Sequence, residues 1–166
     1  RHADKKWPAI NTTAMYNFPA ALGLQPYITP MTDSRPSQRG TFRNGGLPMN
    51  ANLSAHVARM RAEITAAIPD PGYDGFCSID YEDWAPIWPD QEGPGGSTVF
   101  GRWPDTWQLY RNATLNQLRE AHPTWSADIL EGVAKREWEA SATTFLRTTL
   151  LTARAIRPRC AWGLYG

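Results

Sequence analysis

Gly75-Phe76-Cys77-Ser78-Ile79-Asp80-Tyr81, continued by Glu82-Asp83-Trp84, is the stretch on which the fold turns. Its apolar part is too short for a helix and is flanked by turn residues, so it reads as a buried strand. Before it, Leu53, Val57, Met60, Ile64 and Ile68 recur at spacings of three and four and predict an amphipathic helix. Asn52 can cap that helix, and Pro69 with Pro71 ends it. After the strand, residues 85 to 105 are a loop rich in Pro, Gly and Trp. Two helical stretches follow, at about 106–121 and 126–156, separated by His122-Pro123. Ser126 is a candidate N-cap with Asp128 in the first turn. Ile129, Val133, Phe145, Leu146, Leu150 and Ala153 supply the predicted apolar face of the second. Cys160 to Tyr165 reads as another buried strand after Pro158.

Upstream, residues 14–29 read as short extended pieces, with Tyr27-Ile28-Thr29 as a strand end stopped by Pro30. Residues 30–50 have the composition of a long ordered loop. The resulting order is strand, loop, helix, strand, loop, helices, strand. It predicts an α/β fold with parallel strands and right-handed crossovers.

Composition narrows the function. With 17 Lys+Arg against 16 Asp+Glu in 166 residues, the net charge is +1. That balance argues against an electrostatically driven nucleic-acid binder. With 42% apolar and 20% charged residues, wholesale disorder is excluded. No apolar run approaches the roughly 20 residues of a membrane span. Arg1 to Lys6 lacks the apolar region of a signal peptide, so a secreted form would already have lost its leader. His2, His56 and His122 are scattered without ligand spacing, so neither a metal nor another cofactor is expected. Cys77 and Cys160 are compatible with a disulfide or with two buried thiols.

The chemistry concentrates at the end of the 75–81 strand. Side chains alternate along a strand, so Asp80 and Glu82 share a face about 6.6 Å apart. Two carboxylates on one face of an apolar strand are costly, and their mutual repulsion raises one pKa toward that of a proton donor. In parallel α/β folds, active sites lie at such C-terminal strand ends. The plainer reading gives either carboxylate to a loop cap or an arginine partner. Tyr81, Trp84, Trp88, Trp103 and Trp107 flank the pair and are candidates for stacking on sugar rings, with loop packing as the alternative for each. Tyr27 and Tyr165 fall at the ends of two other predicted strands, on what would be the same rim. Asn11, Asn52 and Asn112 begin sequons, which lean toward a secreted glycoprotein.

Several of these stretches resemble the hyaluronidases of glycoside hydrolase family 56. They are Gln25-Pro26-Tyr27-Ile28-Thr29-Pro30, Phe42-Arg43-Asn44-Gly45-Gly46-Leu47-Pro48 with Asn52-Leu53-Ser54-Ala55-His56, Ile79 to Trp84, Ala121 to Trp125, and Trp162-Gly163-Leu164-Tyr165-Gly166. They run in the family's order from about residue 14 to the end. The resemblance implies a (β/α) TIM-type barrel that cuts β-1,4 bonds beside N-acetylhexosamine in hyaluronan or chondroitin. Glu82 would be the general acid. Asp80 would orient the substrate's acetamido group, which serves as the nucleophile in substrate-assisted retaining hydrolysis. Tyr165 and Tyr27 would line the catalytic subsites, and Trp84 would contact substrate. Where the family has Trp-Arg-Pro, this chain has Trp84-Ala85-Pro86, which removes a guanidinium able to meet a uronate. Arg43 and Arg102 are candidate replacements. Tyr81 stands where the family has Trp or Phe. An inactive carbohydrate-binding or structural module and a chitinase-like hydrolase are the alternatives.

A barrel of eight βα units takes about 250 residues. Residues 1–166 are therefore expected to form an incomplete barrel domain with roughly half of the barrel present. The remainder would come from the same chain or a second one, in an extracellular or lumenal (secreted or lysosomal) setting.

Overall fold

The computed structural model describes residues 12–15, 22–31, 33–81, 83–88 and 104–165. Three parallel strands form the main sheet in the order β1 (Thr12–Met15), β4 (Phe76–Asp80), β5 (Ala161–Tyr165). Thr12 to Met15 pair with Phe76 to Ile79, and Phe76 to Asp80 pair with Ala161 to Tyr165. Helix α1 (Leu53–Ala67) lies in the first crossover, and α2 (Pro104–Ala121) and α3 (Ala127–Ile156) lie in the second. The parallel α/β reading thus holds. The two long helices fall within two residues of their predicted starts and end where predicted.

Capping explains the helix boundaries. Asn52 Oδ1 accepts from the Ala55 backbone N–H at 3.0 Å, and Ser126 Oγ accepts from Ile129 N–H at 3.4 Å. Two elements differ from expectation. Tyr27-Ile28 (β2) is not a strand of the parallel sheet; it pairs antiparallel with Phe42-Arg43 (β3) as a separate hairpin. Residues 29 to 41 connect the two strands of that hairpin, closed by Thr29 N–H to Thr41 O and Gly40 N–H to Thr29 O, both 2.9 Å. The buried face of α3 is also rotated from the expected one. Leu130, Ala134, Trp138, Ala142, Phe145, Thr149 and Ala153 are buried, whereas Ile129 is half exposed. Alanines and threonines on this face let neighbouring elements approach closely, while Leu130, Trp138 and Phe145 fill the core beside them.

Two cores result. Leu22, Met60, Ile64, Ile68, Cys77, Ile79, Ala153, Cys160 and Trp162 pack the sheet against α1 and α3. Tyr81, Trp84, Trp88, Tyr110, Leu118, Leu130, Trp138 and Phe145 fill the space between α2, α3 and the connections above the sheet. Cys77 and Cys160 form a disulfide with a Cα–Cα separation of 6.1 Å across β4 and β5, closing the pairing that the sequence leaves open. The other face of β4 carries Phe76, 56% exposed, and the half-buried Ser78 and Asp80. Among the described helices, none is long and apolar enough to cross a membrane.

Candidate active site

Strand alternation sorts the residues of the acidic stretch. Cys77 and Ile79 are 2% and 0% exposed and Tyr81 is 6% exposed, all turned into protein. Asp80 lies on the opposite face at the C-terminal end of β4, half-buried, in parallel register with Tyr165 at the end of β5. The structure therefore brings the Asp80 and Tyr165 backbone positions side by side on one rim. Glu82, Asn11, Arg102 and Trp103 lie outside the described residues.

Tyr81 sits beneath this rim, edge-on to Trp84 with ring centroids 4.7 Å apart. Burial, with Asp83 and Tyr110 adding to it, pushes the Tyr81 phenol well above its ordinary pKa, so it stays neutral. Trp84 is 2% exposed and packs against Trp138 and Phe145 at 5.7 and 6.0 Å. Its Nε1–H donates to Pro26 O at 2.7 Å. No ring face of Trp84 is open to a sugar. Where the sequence suggests a substrate contact, the indole lies in a dry aromatic core and holds the Pro26 carbonyl. Trp88 is also buried; its Nε1–H donates to Glu131 Oε1 at 2.9 Å and it stacks edge-on with Trp107 at 5.2 Å. The aromatic cluster flanking the acids is thus, for Tyr81, Trp84 and Trp88, a packed floor.

Tyr27 is held by another route. In the segment from Leu24 to Ile28, four backbone polar groups are satisfied by side chains from four separate stretches of the chain. Leu24 N–H donates to His56 Nδ1 at 2.9 Å, and Asn44 Nδ2 donates to Gln25 O at 2.7 Å. Trp84 binds Pro26 O, and Ile28 N–H donates to Tyr110 Oη at 3.0 Å. This lattice roots the β2–β3 hairpin beside the acidic connection, with Tyr27 half-buried and Arg43 exposed opposite it.

His56 is the residue that sequence reading missed. It is fully buried against Phe145 at 4.4 Å, accepts from Leu24 at Nδ1, and its Nε2 lies 2.9 Å from Thr149 Oγ1. Thr149 Oγ1 donates to Phe145 O, so the neutral tautomer with the proton on Nε2 satisfies every group. Burial lowers its pKa to about 4. Gly23 at φ +72° completes the fit, since a Cβ there would lie 2.5 Å from His56 Nδ1. The available signal was its spacing, four residues before Met60 and eight before Ile64 on the buried stripe.

Of the sequon asparagines, Asn52 is exposed and caps α1, and Asn112 is exposed within α2. The Thr114 hydroxyl of that second sequon is buried on Tyr110 O at 2.9 Å.

A family model described as hyaluronidase, glycosyl hydrolase family 56, matches residues 3–166. The chain belongs to the hyaluronidase family. It is 38% identical to human hyaluronidase-1 over 149 residues, covering 90% of this chain and 30% of that protein. Mouse hyaluronidase-1 is 32% identical over 163 residues, again 30% of its length. The fold matches bee venom hyaluronidase, solved in complex with a hyaluronic acid tetramer, with a TM-score of 0.74 and 27% identity. That match covers 93% of this chain and 42% of the bee chain. The chain thus spans about 30% of the curated hyaluronidases it matches.

Proposed function

We propose that this chain forms the acid-bearing part of a hyaluronidase-like endo-β-N-acetylhexosaminidase acting on a glycosaminoglycan of the hyaluronan or chondroitin type. The observation that carries this reading is Asp80 at the C-terminal end of β4, in register with Tyr165, inside a family match that spans nearly the whole chain. The Glu82 carboxyl donates its proton to the glycosidic oxygen as that bond breaks. The acetamido oxygen of the substrate's own N-acetylhexosamine closes on the anomeric carbon, and Asp80 holds the acetamido N–H and balances the charge formed on the ring. Glu82, now a carboxylate, takes a proton from the water that opens the intermediate, and the anomeric configuration is retained. Tyr165 and Tyr27 line the subsites, and Arg43 meets substrate from the hairpin.

The chain is one part of a (β/α) TIM-type barrel. The open face of β4 with the exposed Phe76, and the 45% exposed Leu164 on β5, are surfaces for the remaining barrel, from the same chain or a second one. The Cys77–Cys160 disulfide supports an extracellular or lumenal setting. A second reading, a carbohydrate-binding or structural module without turnover, is favoured by Ala85, whose methyl replaces a guanidinium beside the acids.

A reducing-sugar assay on hyaluronan, chondroitin and chitin oligosaccharides separates the two. The hydrolase reading expects new reducing ends from the anionic polymers, reduced about 10²–10⁴-fold in Glu82→Gln. Cleavage that survives that substitution rejects the mechanism, and binding without cleavage establishes the module.

A further inference from the structure

In the sequence, Glu82 falls between the end of β4 and Trp84, and the residues on both sides of it are held in place. On the strand side, Asp80 is fixed by its ladder with Tyr165, and Tyr81 is buried edge-on to Trp84. On the far side the hold comes from α3, and chiefly from one side chain. Trp138 is fully buried. Its Nε1–H donates to Ala85 O at 3.0 Å, and Ala85 is three residues beyond Glu82. Its ring meets Trp84 and Trp88 edge-on, with centroids 5.7 and 5.8 Å away. α3 adds one more bond at the end of the connection, where Glu139 Oε1 accepts from Trp88 N–H at 3.2 Å.

The ring contacts and the hydrogen bond do different things. Edge-on aromatic packing tolerates small shifts, because it is spread over many atom pairs. A hydrogen bond is directional and weakens steeply as donor and acceptor fall out of line. The indole N–H is the single donor that Trp138 possesses, and it goes to the main chain of this connection. The donor cannot swing, since Trp107 and Tyr110 of α2 brace the same ring edge-on at 5.7 and 5.8 Å. With Asp80 set by the ladder and Ala85 O set by Trp138, the residues 81–84 between them have both ends fixed. Proton donation to a leaving oxygen needs the acid within hydrogen-bond reach, and a displacement of about 1 Å costs on the order of 10²-fold in rate.

We propose that Trp138 is a positioning residue for proton donation, its N–H bond to Ala85 O holding the connection so that the Glu82 carboxyl reaches the glycosidic oxygen. This rests on the hydrolase reading above and gives its general acid a support on α3, outside the strand ends.

The test uses the chain together with the rest of its barrel. Position 138 carries Trp138→Phe or the benzothiophene isostere of tryptophan, which keeps the ring shape and puts sulfur in place of the N–H. The isostere alone decides where Trp138→Phe does not fold. Leu130→Val, which removes a methylene from the same core on the same helix, is the structural control. Each protein receives a hyaluronan oligosaccharide and the same sugar carrying a dinitrophenyl leaving group, which departs without a proton. Both position-138 variants are expected to lower kcat about tenfold on the natural bond with KM unchanged, and to stay within about twofold of the parent on the dinitrophenyl glycoside. Amide exchange at Asp83, Trp84 and Ala85 should quicken in both. Leu130→Val should lower the melting temperature and treat the two substrates alike. Equal loss on both substrates, or no loss on either, overturns the positioning role. A parent enzyme that cleaves neither substrate overturns the hydrolase reading instead. Exchange that still quickens then keeps Trp138 as the anchor of the connection, and unchanged exchange removes that role as well.

Discussion

The β4–β5 strand pair and the Leu24–Ile28 segment each hold a candidate site residue, Asp80 and Tyr27, by opposite physical means. The strand pair is held by a backbone ladder, from Phe76↔Ala161 to Asp80↔Tyr165, and by the Cys77–Cys160 crosslink. A ladder is local and repetitive; once its register is set, every residue along it is placed. Leu24–Ile28 has only two residues in a ladder. Its carbonyls and N–H groups are taken by His56, Asn44, Trp84 and Tyr110, which are 32, 19, 58 and 82 residues away from their partners. Each of those bonds is buried or partly buried, so losing one side-chain partner strands a carbonyl or an N–H rather than exposing it to water. The strand pair fixes Asp80 by pattern, whereas the segment fixes Tyr27 by four individual side chains. Pattern tolerates substitution and individual contacts do not.

The largest expected effect breaks the strand pair. Replacing both Cys77 and Cys160 by alanine releases a crosslink between residues 83 apart in sequence. On the chain-entropy account this destabilises the fold by about 4 kcal/mol, measured by urea denaturation of the variant against the oxidised parent. Hydrogen exchange should then quicken in β4 and β5 before it does at Leu24 and Ile28.

Acid breaks the segment instead. His56 has a folded pKa of about 4 against an ordinary value of 6.5, so the unfolded chain binds the proton more readily. Stability is therefore unaffected by this group above pH 6.5 and falls as pH drops from 6.5 to 4, by about 3 kcal/mol over the window. Protonated Nδ1 would face the Leu24 N–H, donor against donor. Denaturation at stepped pH checks the slope, and His56→Asn, whose side-chain oxygen can still accept from Leu24, should flatten it. A slope unchanged in His56→Asn would assign the acid sensitivity to other groups.

A smaller effect comes from Trp84→Phe. It keeps most of the aromatic packing but strands Pro26 O in a buried setting, with an expected loss of about 1–2 kcal/mol. The sharper readout is local: exchange at Leu24 and Ile28 should accelerate while β4–β5 stays protected. Equal acceleration in both regions would mean that they are one cooperative unit and that the contrast drawn between them is false.

The same contrast explains how far the sequence could be read. Helices α1, α2 and α3 and strands β4 and β5 were legible because periodicity and caps such as Asn52 and Ser126 are local signals. Asp80 at a strand end followed from them. The sequence places Tyr27 with the parallel strands because a two-residue ladder leaves no pattern, and its partner strand Phe42–Arg43 lies in a stretch that reads as loop. Trp84 and Trp88 read equally as sugar platforms because exposure cannot be read from residue type; packing on Trp138 takes them inward. His56 closes one of the family-like stretches, but its role is invisible in sequence because its acceptor contact is with Leu24, 32 residues away.

The most direct measurement of the central claim is proton NMR of the first-formed product during hydrolysis of hyaluronan oligosaccharides, with Glu82→Gln as control. Catalysis by Glu82 with Asp80 holding the substrate's acetamido group predicts that the β-anomer appears first and that the signal is lost in Glu82→Gln. First appearance of the α-anomer, or an undiminished signal in Glu82→Gln, would contradict it.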